Sequence, residues 1–275
     1  MIVATFANKS AKKDLEIFLF SLNLWNSSLK VYVFCDTEIQ TWLNTQKYTF
    51  PILTKLALDK YTTLSRKQME HTKGTHYQTI WGDLMGEKMN LLDWVFKEEK
   101  EIFFLDSDIC FTGPLPEIEV GKQLALSPHY INLRSTIRFG KYNGGFLWTS
   151  NPNLPQQWRE ATIKSRYFEQ AALEDLAIVY KTTLHEFPLQ VNYGWWRMFQ
   201  ADAYPEEQQK AFSIFRGDTT SSGIRVDGLP LSSVHTHFHE KKDLSTKAFN
   251  EFIVRLLKLC GTRSVKSAAL AKVLI

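Results

Sequence analysis

The chain has 275 residues, 44% hydrophobic and 13% aromatic, with a formal net charge of +4; that is enough apolar material for a sizeable core and excludes a disordered chain. Mild positive charge suits an anionic small ligand, but the basic residues form no continuous stripe and no known motif, so a nucleic-acid partner is not expected. Cys35, Cys110 and Cys260 have neither metal nor disulfide spacing, which favours a reducing compartment, and no signal peptide or run of ~20 apolar residues is present, so a soluble cytoplasmic protein is expected.

Ile2–Phe6 reads as a strand starting almost at residue 1, followed by a small polar loop. A helix follows with Leu15, Phe18, Leu19, Leu22 and Trp25 on one face, then the strand Val31–Phe34 ending in Cys35 and Asp36. Short loops in this β-α-β start imply a parallel pair with a right-handed crossover. No Gly-x-Gly-x-x-Gly follows the first strand, which argues against a dehydrogenase-type dinucleotide fold. Asp36 at a strand end either meets a base or ribose or caps a helix. Residues 37–75 show no clear pattern. From Trp81 to Phe96, Met85, Met89, Leu92 and Phe96 form a helical stripe, with Lys88 at its margin. That lysine either reaches a phosphate or snorkels to solvent, the second being slightly favoured.

Ile102–Leu105 is a short continuous apolar run, as expected of a strand buried on both faces. Asp106 and Asp108 follow at once, with Ser107 between, and Gly113, Pro114 and Pro116 turn the chain away. Ligands bind at the carboxyl ends of strands in open α/β sheets. Two carboxylates crowded there suit a hard cation such as Mn²⁺ or Mg²⁺. The plain alternative is one capping aspartate and one solvated one. A phosphatase nucleophile is a further alternative, weakened by Cys110 two residues after the second aspartate and by the position past residue 100.

Gln123–Ser127 reads as another strand, and His129–Lys141, basic and poor in apolar residues, reads as a mobile flap. Asn143, Gly144 and Gly145 lead into an apolar strand; adjacent glycines admit close approach of a ligand, or simply a tight turn. A helix over Ser165–Tyr180 buries Leu173, Leu176, Ala177 and Tyr180. It carries Glu169 and Gln170 in its first turn, where the helix dipole alone would favour a carboxylate. Asn192 ends a short extended piece, and Tyr193, Trp195 and Trp196 surround Gly194. Phe212–Phe215 and Gly223–Val226 form a strand pair with Asp227-Gly228 as a turn. Strand alternation from Ser233 puts His235, His237 and His239 on one face, with Lys241 and Lys242 beyond. The tail after Phe252 is basic and amphipathic. It either lies on an anionic membrane or packs on its own domain.

Asp-x-Asp after an apolar strand, Asn-Gly-Gly before a strand, Glu-Gln at a helix start with Asn192 downstream, and a closing His-Phe before lysines occur in that order. The sequence thereby resembles the metal-dependent nucleotide-sugar glycosyltransferases of the GT-A fold, particularly family 8, the glycogenin and galactosyltransferase-like group. There the motifs run Asp-x-Asp, Phe-Asn-x-Gly, Asp-Gln-Asp and His-Phe with a lysine beyond. The resemblance implies an α/β fold with a Rossmann-like, mostly parallel central sheet flanked by helices and a small additional antiparallel sheet. A single domain is expected over 1–245, with a basic amphipathic helical tail over 246–275.

Carried over residue by residue, the resemblance implies that Asp106 and Asp108 ligate Mn²⁺ or Mg²⁺ with a closing histidine. His237, preceding Phe238, is the better match and His235 the competing one. Lys241 contacts the diphosphate, and Ala4, Thr5, Phe6 and Asp36 line the nucleotide pocket. Asn143 and Gly145 hold the donor sugar or the acceptor, and Lys88, Ser107, Gly144 and Asn192 are further candidates for the donor-binding set. Glu169 and Gln170 stand at the catalytic motif, and Glu169 or Asp175 is a candidate base if the reaction inverts. Two positions depart from the family pattern, Glu169 for Asp and Ala171 for the third acid. The expected activity is transfer from a nucleoside-diphosphate sugar, in the family a UDP-sugar with retention, to a glycan, lipid-linked or protein acceptor. A metal-dependent phosphohydrolase and a non-catalytic nucleotide-sugar-binding protein are the alternatives. The basic tail allows peripheral membrane contact.

Overall fold

The computed structural model describes residues 1–215, 218–240 and 242–275. The first half alternates strands and helices: β1 (Ile2–Ala7), α1 (Lys12–Trp25), β2 (Lys30–Cys35), α2 (Thr37–Leu43), β3 (Ile52–Leu56), α3 (Arg66–His71), α4 (Ile80–Val95) and β4 (Ile102–Leu105). Then come β5 (Ile109–Phe111), β6 (Leu124–Pro128), α5 (Leu133–Phe139), β7 (Tyr142–Thr149), α6 (Leu154–Ile163), α7 (Phe168–Ala171), α8 (Leu173–Val179) and β8 (Leu184–Glu186). The last third holds β9 (Tyr193–Gly194), α9 (Trp195–Phe199), α10 (Pro205–Lys210), β10 (Phe212–Ile214), β11 (Ile224–Val226), β12 (Leu229–Pro230), β13 (Ser233–His235), α11 (Leu244–Gly261) and α12 (Val265–Val273).

The central sheet has seven strands in the order β3-β2-β1-β4-β7-β6-β8. Six run the same way and only β7 opposes them, pairing antiparallel with both β4 and β6. All four residues of β4 and all eight of β7 are buried, because helices cover both faces of the sheet. One core packs α1 against one face through Leu15, Phe18, Leu19 and Leu22. The other packs α4, α6 and α8 through Met89, Leu92, Trp158 and Leu176. From β1 the chain winds outward through β2 and β3, then returns to place β4 on the other side of β1. That reversal is the topological switch point of an open α/β sheet, where a crevice opens at the carboxyl ends of the strands. Asp106 follows β4 there.

Two smaller sheets complete the fold. One is antiparallel, β10-β11-β12, its tight turn formed by Asp227 and Gly228 at φ +49° and +78°. The other, β5-β13-β9, is mixed and ties the stretch after the aspartate pair to the histidine strand.

Several expectations are corrected. Residues 37–75 contain a sheet strand, β3, whose mixed exposure left no clean period. The segment 129–141 contains α5, capped by the Asn132 side chain accepting from the Ser135 N–H, although no residue of α5 is buried. The histidine strand ends at His235, so no alternation carries His237 and His239 onto one face with it. The expected tail is two helices whose apolar side packs into a third core: Leu256, Leu257, Leu270 and Leu274 are all buried with Ile17 of α1 and Val234 of β13. α11 begins at Leu244 behind the cap of Asp243. No helix among the described residues is long and apolar enough to cross a membrane. All three cysteines are free and buried.

Candidate functional site

Asp106 and Asp108 sit in the turn between β4 and β5, at the switch point. Asp106 donates its backbone N–H to the Gly145 carbonyl (2.8 Å), fixing the turn against β7. β13 pairs with β5 and sets His235 opposite Ile109. Ligating atoms of Asp106, Asp108 and His235 thereby lie within 4.8 Å of one another. His235 Nε2 is 3.1 Å from Asp108 Oδ1. His237, beyond the end of the strand, has its Nδ1 2.9 Å from Asp14 of α1 and its Nε2 3.4 Å from Asp108. Burial pushes the Asp108 carboxyl up, but His235 and His237 beside it outweigh this and hold it well below the usual carboxylate range. Two carboxylates and one imidazole form a donor set that fits Mn²⁺ or Mg²⁺, the oxygens supplying the hard ligands.

Gly145 shows why this corner needs glycine. A Cβ there would lie 2.1 Å from Asp106 Oδ2 and 2.9 Å from His235 Cε1. A Cβ at Gly144 would meet Glu169 Oε1 at 2.9 Å. The backbone of β7 thus forms one wall of the cluster.

Lys88 does not snorkel: α4 directs it inward, where it is 2% exposed. Its Nζ donates to Glu169 Oε1 (2.7 Å) and to the Gly144 carbonyl (2.9 Å) and lies 3.4 Å from Asp106 Oδ1. Burial pulls the ammonium down, but Asp106 and Glu169 outweigh it and hold the group above its usual value. Glu169 is itself buried, on α7, which opens on a left-handed Phe168 at φ +42°. Such a backbone in a non-glycine residue costs on the order of 1–3 kcal/mol. It is held by Trp158 Nε1 donating to the Glu169 carbonyl (2.7 Å). Gln170 accepts from Gly144 N–H (3.3 Å) and donates to the Phe139 carbonyl (3.0 Å).

The two asparagines are engaged within the protein. Asn143 Oδ1 accepts from Gly145 N–H (3.0 Å) and from Asn192 Nδ2 (3.3 Å), and its Nδ2 faces His129 Nε2 (3.3 Å). Asn192 also donates to Ser127 Oγ (3.1 Å). Ala4 and Thr5 are fully buried in β1, and Phe6 stacks on Phe104. Ser107 is buried between the two aspartates. Asp36 caps α2, accepting from Ile39 N–H (2.9 Å) and from Lys9 N–H (2.7 Å), so both carboxylate oxygens serve the backbone. It borders a cavity of about 590 Å³ lined by Lys9, Lys12, Trp42 and Asp59. Asp175 is exposed on α8, whose register turns Leu173 and Leu176 inward and leaves it apart from the cluster. Lys241 lies outside the described residues. Groups that local patterning did not single out are Asp14, His129 and Arg197, each made relevant by contacts from distant parts of the chain. The one available signal was an arginine directly after two tryptophans.

No protein-family model matches the sequence, and no curated protein matches it by sequence. Solved structures do match in fold. The glycosyltransferase GlyE of Streptococcus pneumoniae TIGR4 superposes with a TM-score of 0.57 at 17% identity, over 95% of this chain and 62% of GlyE. This chain therefore spans under two thirds of that protein. The galactosyltransferase LgtC, solved with donor and acceptor sugar analogs, gives 0.55 at 11% identity over 96% of each chain. Mouse xyloside xylosyltransferase 1 gives 0.52 at 12% identity, over 86% of this chain and 98% of its own. The chain has the GT-A fold of these proteins.

Proposed function

We propose that this protein is a metal-dependent glycosyltransferase that moves a sugar from a nucleoside-diphosphate sugar, of the UDP class, to a hydroxyl group of a glycan, lipid-linked or protein acceptor. The observation that carries the reading is the Asp106, Asp108 and His235 cluster at the sheet's switch point, in a fold shared with glycosyltransferases. When bound, a divalent ion there, Mn²⁺ or Mg²⁺, would supply positive charge against the diphosphate as the glycosidic bond breaks.

The chain's own residues account for the rest. Gly144 and Gly145 let Glu169, Asp106 and His235 pack directly against the β7 backbone. Lys88 holds Glu169 in place, so the carboxylate orients sugar hydroxyls and faces developing positive charge at the anomeric carbon. A carboxylate fixed in this way serves better as an orienting group than as a proton acceptor. This supports retention.

Calorimetric titration of UDP, GDP and dTDP, each with and without Mn²⁺, tests the reading on the wild type and on the double variant Asp106→Ala/Asp108→Ala. Metal-dependent binding of UDP is expected, weakened at least 100-fold in the variant, equivalent to about 2.7 kcal/mol. Failure of all three nucleotides to bind would sink the reading.

A further inference from the structure

Arg197 of α9 is buried to 3% exposure with no carboxylate beside it among the described residues. Nη2 donates to the Pro128 carbonyl (2.6 Å), while Nε and Nη1 have no hydrogen-bond partner. The Tyr193 hydroxyl, also buried, is unpartnered too. Burial lowers the guanidinium pKa to about 10, which leaves it charged at neutral pH. A lone buried cation with two unused donors is costly to keep. Its planar fork is shaped for a carboxylate or a phosphate.

The surroundings show how an anion would reach it. Tyr130 is 51% exposed, and the Arg197 guanidinium carbon lies 5.0 Å from its ring centroid. Tyr130 is left-handed at φ +49° and leads into α5, which buries none of its residues. Tyr130 is therefore a strained cover, and movement of its half-exposed ring opens Arg197 to solvent. Once moved, an exposed aromatic ring is a platform for a sugar face. Trp196 lies between this spot and the metal cluster, its ring edge-on to His235 at 5.0 Å and to His129 at 5.4 Å. An anion at Arg197 is thus one side-chain layer beyond the metal ligands, the place of an acceptor's substituent and not of the donor's diphosphate.

We infer that Arg197, with Tyr130 as its cover, recognises an anionic substituent, carboxylate or phosphate, on the acceptor sugar. The inference rests on the glycosyltransferase reading for the word acceptor, but the anion site itself can be tested independently.

The test is calorimetric or NMR titration of the full chain with methyl glucuronide, glucose 6-phosphate and neutral methyl glucoside, with and without UDP and Mn²⁺. The expected result is at least a tenfold preference for the acidic sugars. Arg197→Gln should abolish the preference while leaving methyl glucoside and UDP affinities unchanged. Arg197→Lys, which keeps the charge but loses the fork, should retain part of it and serves if the Gln variant does not fold. Equal affinity for the three sugars in wild-type protein that still binds UDP would overturn the anion site and leave the glycosyltransferase reading intact. A preference shown by UDP-glucuronate over UDP-glucose, lost in Arg197→Gln, would place the anion on the donor and overturn the acceptor assignment. An Arg197-dependent preference without UDP binding would keep the anion site and remove the glycosyltransferase reading.

Discussion

Two cations flank the Asp106, Asp108 and His235 cluster, Lys88 beside Asp106 and Arg197 one layer beyond His235, and they are almost equally buried at 2% and 3% exposure. Lys88 is fully engaged, by two carboxylates and a carbonyl. Arg197 has one carbonyl and two aromatic rings nearby. The first is a closed structural and positioning device: its charge is answered within the protein, and its work is to hold Glu169 and Asp106. The second is open, its charge left for something outside the chain. Burial alone does not separate a structural cation from a binding one; the partner count does.

The contrast can be broken by substitution. Lys88→Met should leave Glu169 as an uncompensated buried carboxylate and cost about 3–5 kcal/mol in urea unfolding. Adding Glu169→Gln should recover much of it, because the two residues form one unit. A cost well under about 1 kcal/mol for Lys88→Met would show that the pair is not closed as described.

His129, between the two sites, sharpens the comparison through pH. Burial pulls its imidazole down to about 3, partly offset by the Gly140 carbonyl. The folded value lies below the unfolded one, so the unfolded chain takes up a proton that the folded chain refuses. Its contribution is therefore present in full above about pH 6.5 and is lost as pH falls from there towards 3, about 3 kcal/mol of it by about pH 4. The measurement is unfolding free energy against pH for the wild type and His129→Gln. A variant with the same slope between pH 6 and 4 would exclude His129 as the source.

The smallest effect should also have the opposite sign. Arg197→Met removes an unpaired buried charge at similar volume and should stabilise the protein by about 1–2 kcal/mol. A loss of stability of similar size would mean that the guanidinium is satisfied within the fold, and the contrast with Lys88 would disappear.

Much of the sheet was legible because its signals are local. Ile102–Leu105 is apolar throughout because β4 is covered on both faces, and the aspartates after it announce the strand's ligand end. The glycine pair reads as a close approach of a ligand or as a tight turn; it lies within β7, and the side chains of Glu169, Asp106 and His235 approach it. The helical stripe of α4 was readable as a period, yet Lys88 at its edge looked like a surface residue. Its burial depends on Glu169, 81 positions away. The histidines misled because period two holds only while a strand continues. β13 stops at His235, and the chain then turns, with Thr236 N–H donating to the Asp108 carbonyl (3.0 Å). The tail's amphipathicity was visible, but which surface receives it was not, since a membrane and a protein core reward the same apolar stripe.

By itself, the sequence determined the alternation of strands and helices, the carboxylate pair at a strand end, and the order of motifs that resembles a GT-A glycosyltransferase. These are encoded in residues within a few positions of one another, where periodicity and backbone preference act. Only the tertiary structure brings His235 to within 4.8 Å of both aspartates, answers Lys88 with two carboxylates, and answers Arg197 with none among the described residues. Those outcomes depend on strands and helices far apart in the chain meeting at one sheet edge, and on the low dielectric there, which makes each buried charge's partners the deciding quantity.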